Sequence, residues 1–137
     1  MSFLLDTNVI CEIRRGSKTN PQVKAWQAPH PPECLFLSVI TMGEIRKGVE
    51  TARRKDEAKA LVLEGWLRSL EFEFEDRILA VDAEIADLWG RLLARYAMSP
   101  MDGLISATAA CYGYTVVTRN ERDFQRCGVD FINPFKA

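Results

Sequence analysis

Four carboxylates stand out among the side chains able to do chemistry: Asp6, Glu44, Asp102 and Asp123. They are spread along the chain, so only folding can bring them together. Carboxylates held side by side repel and resist ionisation unless a cation sits among them. An all-oxygen donor set suits hard ions, Mg²⁺ or Mn²⁺. Such an ion activates water, neutralises a phosphate oxygen and holds it in line, and two-ion sites space their ions about 3.5–4 Å apart. Each acid also has a plainer reading. Asp6 could cap a helix, Asp102 could serve a capping box begun by Ser99, Glu44 could pair with Lys47, and Asp123 could cap a turn. Taken singly, the structural role is favoured for each. Their joint placement shifts the balance.

Other chemistries are short of parts. The single histidine, His30, lies in Pro29-His30-Pro31-Pro32, where a stiff, exposed loop is expected. Ser/His and Cys/His nucleophile systems therefore lose their usual base. Cys11, Cys34, Cys111 and Cys127 are scattered, with no CxxC pair. That argues against zinc and for reduced, mostly buried thiols. A haloacid-dehalogenase-type phosphatase needs a second Asp where Asn8 stands, and a receiver domain needs paired acids after its first strand.

The elements that must position the acids can be read from the apolar pattern. Ser2-Phe3-Leu4-Leu5 predicts a buried strand that ends at Asp6 and leads into a helix. Asn20-Pro21 opens a helix carrying Val23 and Trp26. Leu35-Phe36-Leu37-Ser38 is a second strand, with Ser38 or Thr41 opening the helix that bears Glu44. A helical pattern covers about 56–70, and Ile78-Leu79-Ala80-Val81 reads as a third strand. Asp82 caps a helix with Ile85, Leu88, Trp89, Leu92 and Leu93 at helical spacing. Ser99-Pro100-Met101-Asp102 starts the next, and Gly113 closes it. Thr115-Val116-Val117-Thr118 is a fourth strand, with Asp123 just beyond it, and Asp130-Phe131-Ile132 a short fifth.

Short apolar strands alternating with helices predict an α/β fold: a three-layer α/β/α sandwich around a central, mostly parallel sheet of four to five strands. Ligands of such sheets bind beyond the carboxyl ends of the strands, where Asp6 and Asp123 fall. If the first, second and fourth strands are neighbours, all four acids can converge on one edge.

The 137 residues suit one domain, spanning 1–137, with a core large enough to need no staples. Hydrophobic residues make up 47% and charged residues 27%, an ordinary globular profile. Eighteen basic against 19 acidic residues give a net charge of −1, unlike a general nucleic-acid coat protein. The balance does not exclude a nuclease, because an acidic metal site subtracts from a basic rim. No apolar run approaches the roughly 20 residues of a membrane span, and no basic leader precedes the first apolar residues, so a cytoplasmic protein is expected.

These residues also carry a family resemblance. Leu4-Leu5-Asp6-Thr7-Asn8-Val9-Ile10 resembles the opening of a PIN-domain ribonuclease. Met42-Gly43-Glu44-Ile45 is similar to that family's second acidic motif, 101–109 to its third, and 117–124 to its fourth. The nearest subgroup is the VapC-like toxins of type II toxin–antitoxin pairs. The resemblance implies a PIN-like sheet and an endoribonuclease that hydrolyses RNA phosphodiester bonds with metal-activated water, using Mg²⁺ or Mn²⁺. It also implies a cognate antitoxin, a homodimer, no membrane partner, and contact with DNA only through the antitoxin. It maps the metal ligands onto Asp6 and Asp102, with Glu44 and Asp123 completing the catalytic set and Asn120 the alternative fourth position. Thr7, Asn8, Thr118 and Asn120 would support them.

Arg119 is the favoured RNA contact because it adjoins the site. Arg14, Arg15, Arg46, Lys47, Arg53, Arg54 and Lys55 are further candidates, with a solvated, ion-paired helix face as the equal alternative. Trp26, Trp66 and Trp89 are read first as core, with a partner face the second reading. The rival function is a catalytically weak PIN-like module that only binds RNA or protein.

Overall fold

The computed structural model describes residues 1–136. Its strands are β1 (Phe3–Leu5), β2 (Leu35–Ser38), β3 (Ile78–Leu79), β4 (Thr115–Val117) and β5 (Phe131–Ile132). The helices are α1 (Thr7–Ile13), α2 (Pro21–Gln27), α3 (Val39–Arg53), α4 (Glu57–Glu73), α5 (Ala83–Arg95), α6 (Pro100–Tyr112) and α7 (Glu121–Cys127). All strand pairs are parallel, in the order β3-β2-β1-β4-β5.

The side chains of β1 alternate between two cores. Phe3 and Leu5 enter a cluster with Val9 and Ile10 of α1, Ile45 and Val49 of α3, and Leu67 and Leu70 of α4. Leu4 points the other way, against Ile105 and Ala109 of α6 and Phe124 of α7. Helices thus cover both faces, which is why the strands carry apolar residues at every position. A third cluster, built on Ile85, Leu104 and Ala107, binds α5 to the outside of α6. Among the described residues no helix is long and apolar enough to cross a membrane.

Local signals account for most boundaries. Asn20 Oδ1 accepts from Gln22 N and Val23 N, Ser38 Oγ from Ile40 N, Asp56 Oδ1 from Lys59 N, and Asp82 Oδ1 from Ile85 N. Each satisfies an amide that the first helical turn would otherwise leave unpaired. Gly113 closes α6 at φ 72°, a conformation that favours glycine.

The structure corrects three expectations. β3 stops at Leu79 rather than Val81, because the strand it pairs with ends at Ser38, which turns away to cap α3. Thr118 lies outside β4, since the β1–β4 ladder ends at Leu5 and Val117, where Asp6 begins α1. Residues 121–127 form a helix where only a turn around Asp123 was expected. Phe124 is its one buried residue, too little for a periodic signal.

Gly103 lets α5 and α6 approach closely. A Cβ there would meet Leu93 Cδ2 at 2.8 Å and Trp89 Cδ1 at 3.4 Å. Gly103→Val is therefore expected to destabilise the fold by about 1–3 kcal/mol, measured as a lowered denaturant midpoint at unchanged slope.

Candidate active site

The strand order reverses at β1, which has β2 on one side and β4 on the other. The chains leaving β1 and β4 diverge there, opening the crevice in which parallel sheets bind ligands. Asp6 leaves β1 and Thr118 leaves β4 at that point, and Asp6 N donates to Val117 O at 2.9 Å.

Asp6 is 6% exposed. Its Oδ1 accepts from Thr7 N at 2.8 Å, so the helix-capping role is real. Its Oδ2 accepts from the Thr118 hydroxyl at 2.8 Å and from Asn8 Nδ2 at 3.3 Å. Burial pushes the carboxyl above its ordinary value, and these hydrogen bonds offset part of the rise. Thr118 Oγ1 also accepts from Asn120 N at 3.0 Å, and Asn8 Oδ1 accepts from Arg119 N at 3.1 Å. The loops after β1 and β4 are thus tied together through Thr118 and Asn8.

Glu44, on α3, accepts a 2.5 Å hydrogen bond from the Thr7 hydroxyl. Among the described residues Glu44 does not pair with Lys47. Buried Thr41, one turn earlier, lies 3.2 Å from the same Thr7 oxygen. It belongs to this network, although the sequence marked it only as a possible helix start.

Asp102 sits in the first turn of α6, as a capping-box acid would. Yet Ser99 makes no side-chain cap, and its backbone N–H donates to Asp123 Oδ2 at 2.9 Å. Asp123, in the first turn of α7, has taken over the duty that sequence logic assigns to Asp102. The Asp102 carboxyl is left to the crevice. It is pushed up to about 7, first by burial, then by the adjacent Asp123 carboxyl and by the charges of Asp6 and Glu44. Asp102 therefore feels the charge of the other three acids. Asn120, the other candidate for the fourth position, precedes α7 without a side-chain cap bond.

The donor set fits a hard cation in kind: four carboxylates, with the hydroxyls of Thr7 and Thr118 close behind. Among the described residues no lysine, arginine or histidine forms an ion pair with any of the four. Glu44 lines one cavity, and Asp102 and Asp123 line another. Among the described residues no three acidic, histidine or cysteine side chains close on one point as a finished ligand shell.

Arg119 lines a cavity of about 480 Å³ beside Asp102 and Asp123. Its guanidinium lies 4.8 Å from the centre of the Phe135 ring, and Asn133 Nδ2 donates to Glu121 Oε2 at 2.7 Å, so the last residues brace this loop.

Two expectations away from the crevice need correction. His30 is not a free loop side chain: its ring packs on Phe3 and Trp26, with Nδ1 2.6 Å from Trp26 O. Phe3 and Trp26 offer an aromatic seat that the flanking prolines hid. The cysteines are unpaired as expected, but Cys11 is exposed and the other three are half-buried. Trp26 and Trp66 pack at the edge of the first core and Trp89 beside the third, where its Nε1 donates to Pro100 O.

The PIN domain family model matches residues 3–129. The chain belongs to the PIN domain family. It is similar to the VapC ribonuclease Y4jK of Sinorhizobium fredii, at 32% identity over 98% of each chain. It is 34% identical to the toxin FitB of Neisseria gonorrhoeae, covering 97% of this chain and 98% of the relative. The crystal structure of FitAcB from that organism superposes on this PIN domain with a TM-score of 0.88 at 34% identity, over 98% of this chain and 99% of the other. VapBC-5 of Mycobacterium tuberculosis, a member of the VapBC family of toxin–antitoxin systems, matches with a TM-score of 0.65 at 26% identity, over 96% and 98%.

Proposed function

We propose that this PIN domain is the endoribonuclease toxin of a toxin–antitoxin pair, and that Asp6, Glu44, Asp102 and Asp123 form its divalent-metal site. The antitoxin is its protein partner and RNA its substrate. The observation that carries the reading is the gathering of four acids at the sheet's switch point, none of them paired with a basic side chain among the described residues. Such a cluster needs positive charge from outside.

Asp6 and Asp102 would hold Mg²⁺ or Mn²⁺, with Glu44 and Asp123 completing the set. When bound, the ion supplies Lewis acidity toward a phosphate oxygen and lowers the pKa of water. The chain's own groups do the positioning. Thr118 and Asn8 orient Asp6 through its Oδ2, and Thr7 orients Glu44 through its Oε1. Asp123, fixed by the Ser99 amide, keeps Asp102 available. Arg119, at the cavity wall, is placed for a phosphate. In the reaction, water adds to phosphorus, a phosphorus–oxygen bond of the RNA breaks, and the leaving oxygen takes a proton. A cytoplasmic site of action fits the four unpaired thiols.

EDTA is expected to abolish RNA cleavage, and excess Mg²⁺ or Mn²⁺ to restore it, as followed by gel electrophoresis of labelled RNA. Cleavage at full rate in EDTA would refute the metal site. Growth arrest on expression, relieved by co-expressed antitoxin, tests the toxin assignment.

A further inference from the structure

The basic side chains of α3 and α4 fall into two classes. Arg46 makes a bidentate 2.7 Å pair with Glu64 and also reaches Glu50. Arg53 binds Glu50, Glu57 and Glu64, and Arg68 lies 3.7 Å from Glu64. This lattice holds the Glu64 carboxyl down at about 2 and commits three guanidiniums to carboxylates. Lys47, Lys55 and Lys59 take no part in it, and among the described residues none of the three forms an ion pair.

These three lysines share a groove. It holds about 740 Å³ and runs between the end of α1, the length of α3 and the start of α4. Glu44, Lys47, Gly48, Thr51 and Ala52 line it at helical spacing, so its floor is one face of α3, and Lys55 follows in the turn after that helix. Lys59 stands on the opposite wall. Arg14 enters from α1, its guanidinium 5.1 Å from the centre of the Trp66 ring. Glu44, held by the Thr7 hydroxyl next to Asp6, lines the groove, so the groove opens beside the acids. Beyond Glu44 its charged lining is three uncommitted lysines, Arg14 and one acid, Asp56, which is engaged in capping α4.

We propose that this groove is the track for the RNA backbone on one side of the cleaved bond, with Lys47, Lys55, Lys59 and Arg14 as its phosphate contacts. The proposal rests on the ribonuclease reading and adds the path of the substrate to it. A single-stranded polyanion fits better than a small anion, because the cations are spread over two helices and the turn between them, Lys47 on α3, Lys55 in the turn after it and Lys59 on α4. That spread suits successive phosphates of an extended strand. Gly48 leaves the floor open: a Cβ there meets nothing within 4 Å.

The test is binding of a fluorescein-labelled, mixed-sequence 20-nucleotide RNA in EDTA, where cleavage is suppressed, as a function of salt. The triple variant Lys47→Gln, Lys55→Gln, Lys59→Gln is expected to bind roughly 10- to 100-fold more weakly near 0.1 M salt. Its slope of log affinity against log salt should fall by about 2, since each phosphate left unneutralised on a single strand lowers it by about 0.7. Gly48→Glu, which fills the floor with a better helix former, should weaken binding without loss of thermal stability. Lys18→Gln with Lys24→Gln, away from the groove, is the control and should bind like wild type. An unchanged slope, or a weakening no greater than the control's, overturns the proposal. It is equally overturned if the triple variant keeps its RNA affinity and instead loses a 20-residue polyglutamate peptide, which would assign the groove to an acidic protein segment. The two readings fail separately. Groove-dependent RNA binding with no cleavage in Mg²⁺ or Mn²⁺ removes the nuclease, and cleavage with an unchanged KM in the triple variant removes the track.

Discussion

Asp6→Asn and Asp102→Asn are each expected to lower RNA cleavage by about 10³-fold while leaving a folded protein. The Asp6 substitution isolates charge from structure. Asparagine keeps an oxygen for the Thr7 amide, so α1 stays capped. What it cannot keep is the negative oxygen that accepts from Thr118 and Asn8 and would face the metal. At Asp102 no capping bond is at stake, because the Ser99 amide is held by Asp123. Asp123→Asn should cost less, about 10-fold, since its amide oxygen can still accept from Ser99 and three carboxylates remain. The measurement is initial rate on a labelled RNA, with circular dichroism to verify folding. Full activity in both Asp6→Asn and Asp102→Asn would dismiss the acidic site.

Stability should respond to pH in the opposite sense to that of most proteins over part of the range. In the folded chain Asp102 takes up its proton at about 7, whereas the unfolded chain waits until near 3.8. Between those values the folded state binds more protons, so stability rises as pH falls from about 8 toward 5. Asp6, also pushed up, adds in the same direction. Glu64, Glu50 and Glu121, all held below their ordinary values by basic neighbours, work the other way, and their contribution is lost as pH falls below about 4.5. In EDTA the melting temperature should therefore peak near pH 5. Adding Mg²⁺ or Mn²⁺ at pH 8 should raise it, by about 2.7 kcal/mol of stability at a hundredfold excess over Kd. The gain should fade at pH 5, where protons compete for the carboxylates. Asp102→Asn should be more stable than wild type at pH 8 in EDTA and gain little from the ion. A melting temperature that climbs steadily from pH 5 to 8 in EDTA would contradict this arrangement of the acids.

The sequence was most readable where a local signal did a local job. The caps at Asp6, Asn20 and Asp82 each satisfy amides of the turn that follows, so residue types alone located those helix starts. β1 and β2 were readable as apolar runs because both faces are covered. What the sequence could not show was exchange between distant segments. The cap of α6 comes from a residue 24 positions away, so Ser99 and Pro100 looked like a complete capping box when they were not. The extent of β3 depended on where its neighbour turned, and His30 on an aromatic seat built by Phe3 and Trp26. Helix α7 has Phe124 as its sole buried residue and no side-chain cap, so nothing periodic announced it. Of the groove lysines Lys47 and Lys55 were visible as charge and Lys59 was not singled out, and which cations the glutamates would occupy is a property of two packed helices.

The hydrogen bond from Thr118 to Asp6 spans 112 residues. β1 gains its second neighbour only when β4 arrives, and the acid that follows β1 gains its orienting hydroxyl at the same moment. During synthesis at about 5–20 residues per second, roughly 6–22 seconds separate the two halves of that contact. A growing chain on the ribosome that has not yet reached residue 118 therefore lacks the hydroxyl that orients Asp6. Competence waits for the segment that carries β4 and Thr118, however early Asp6 is made.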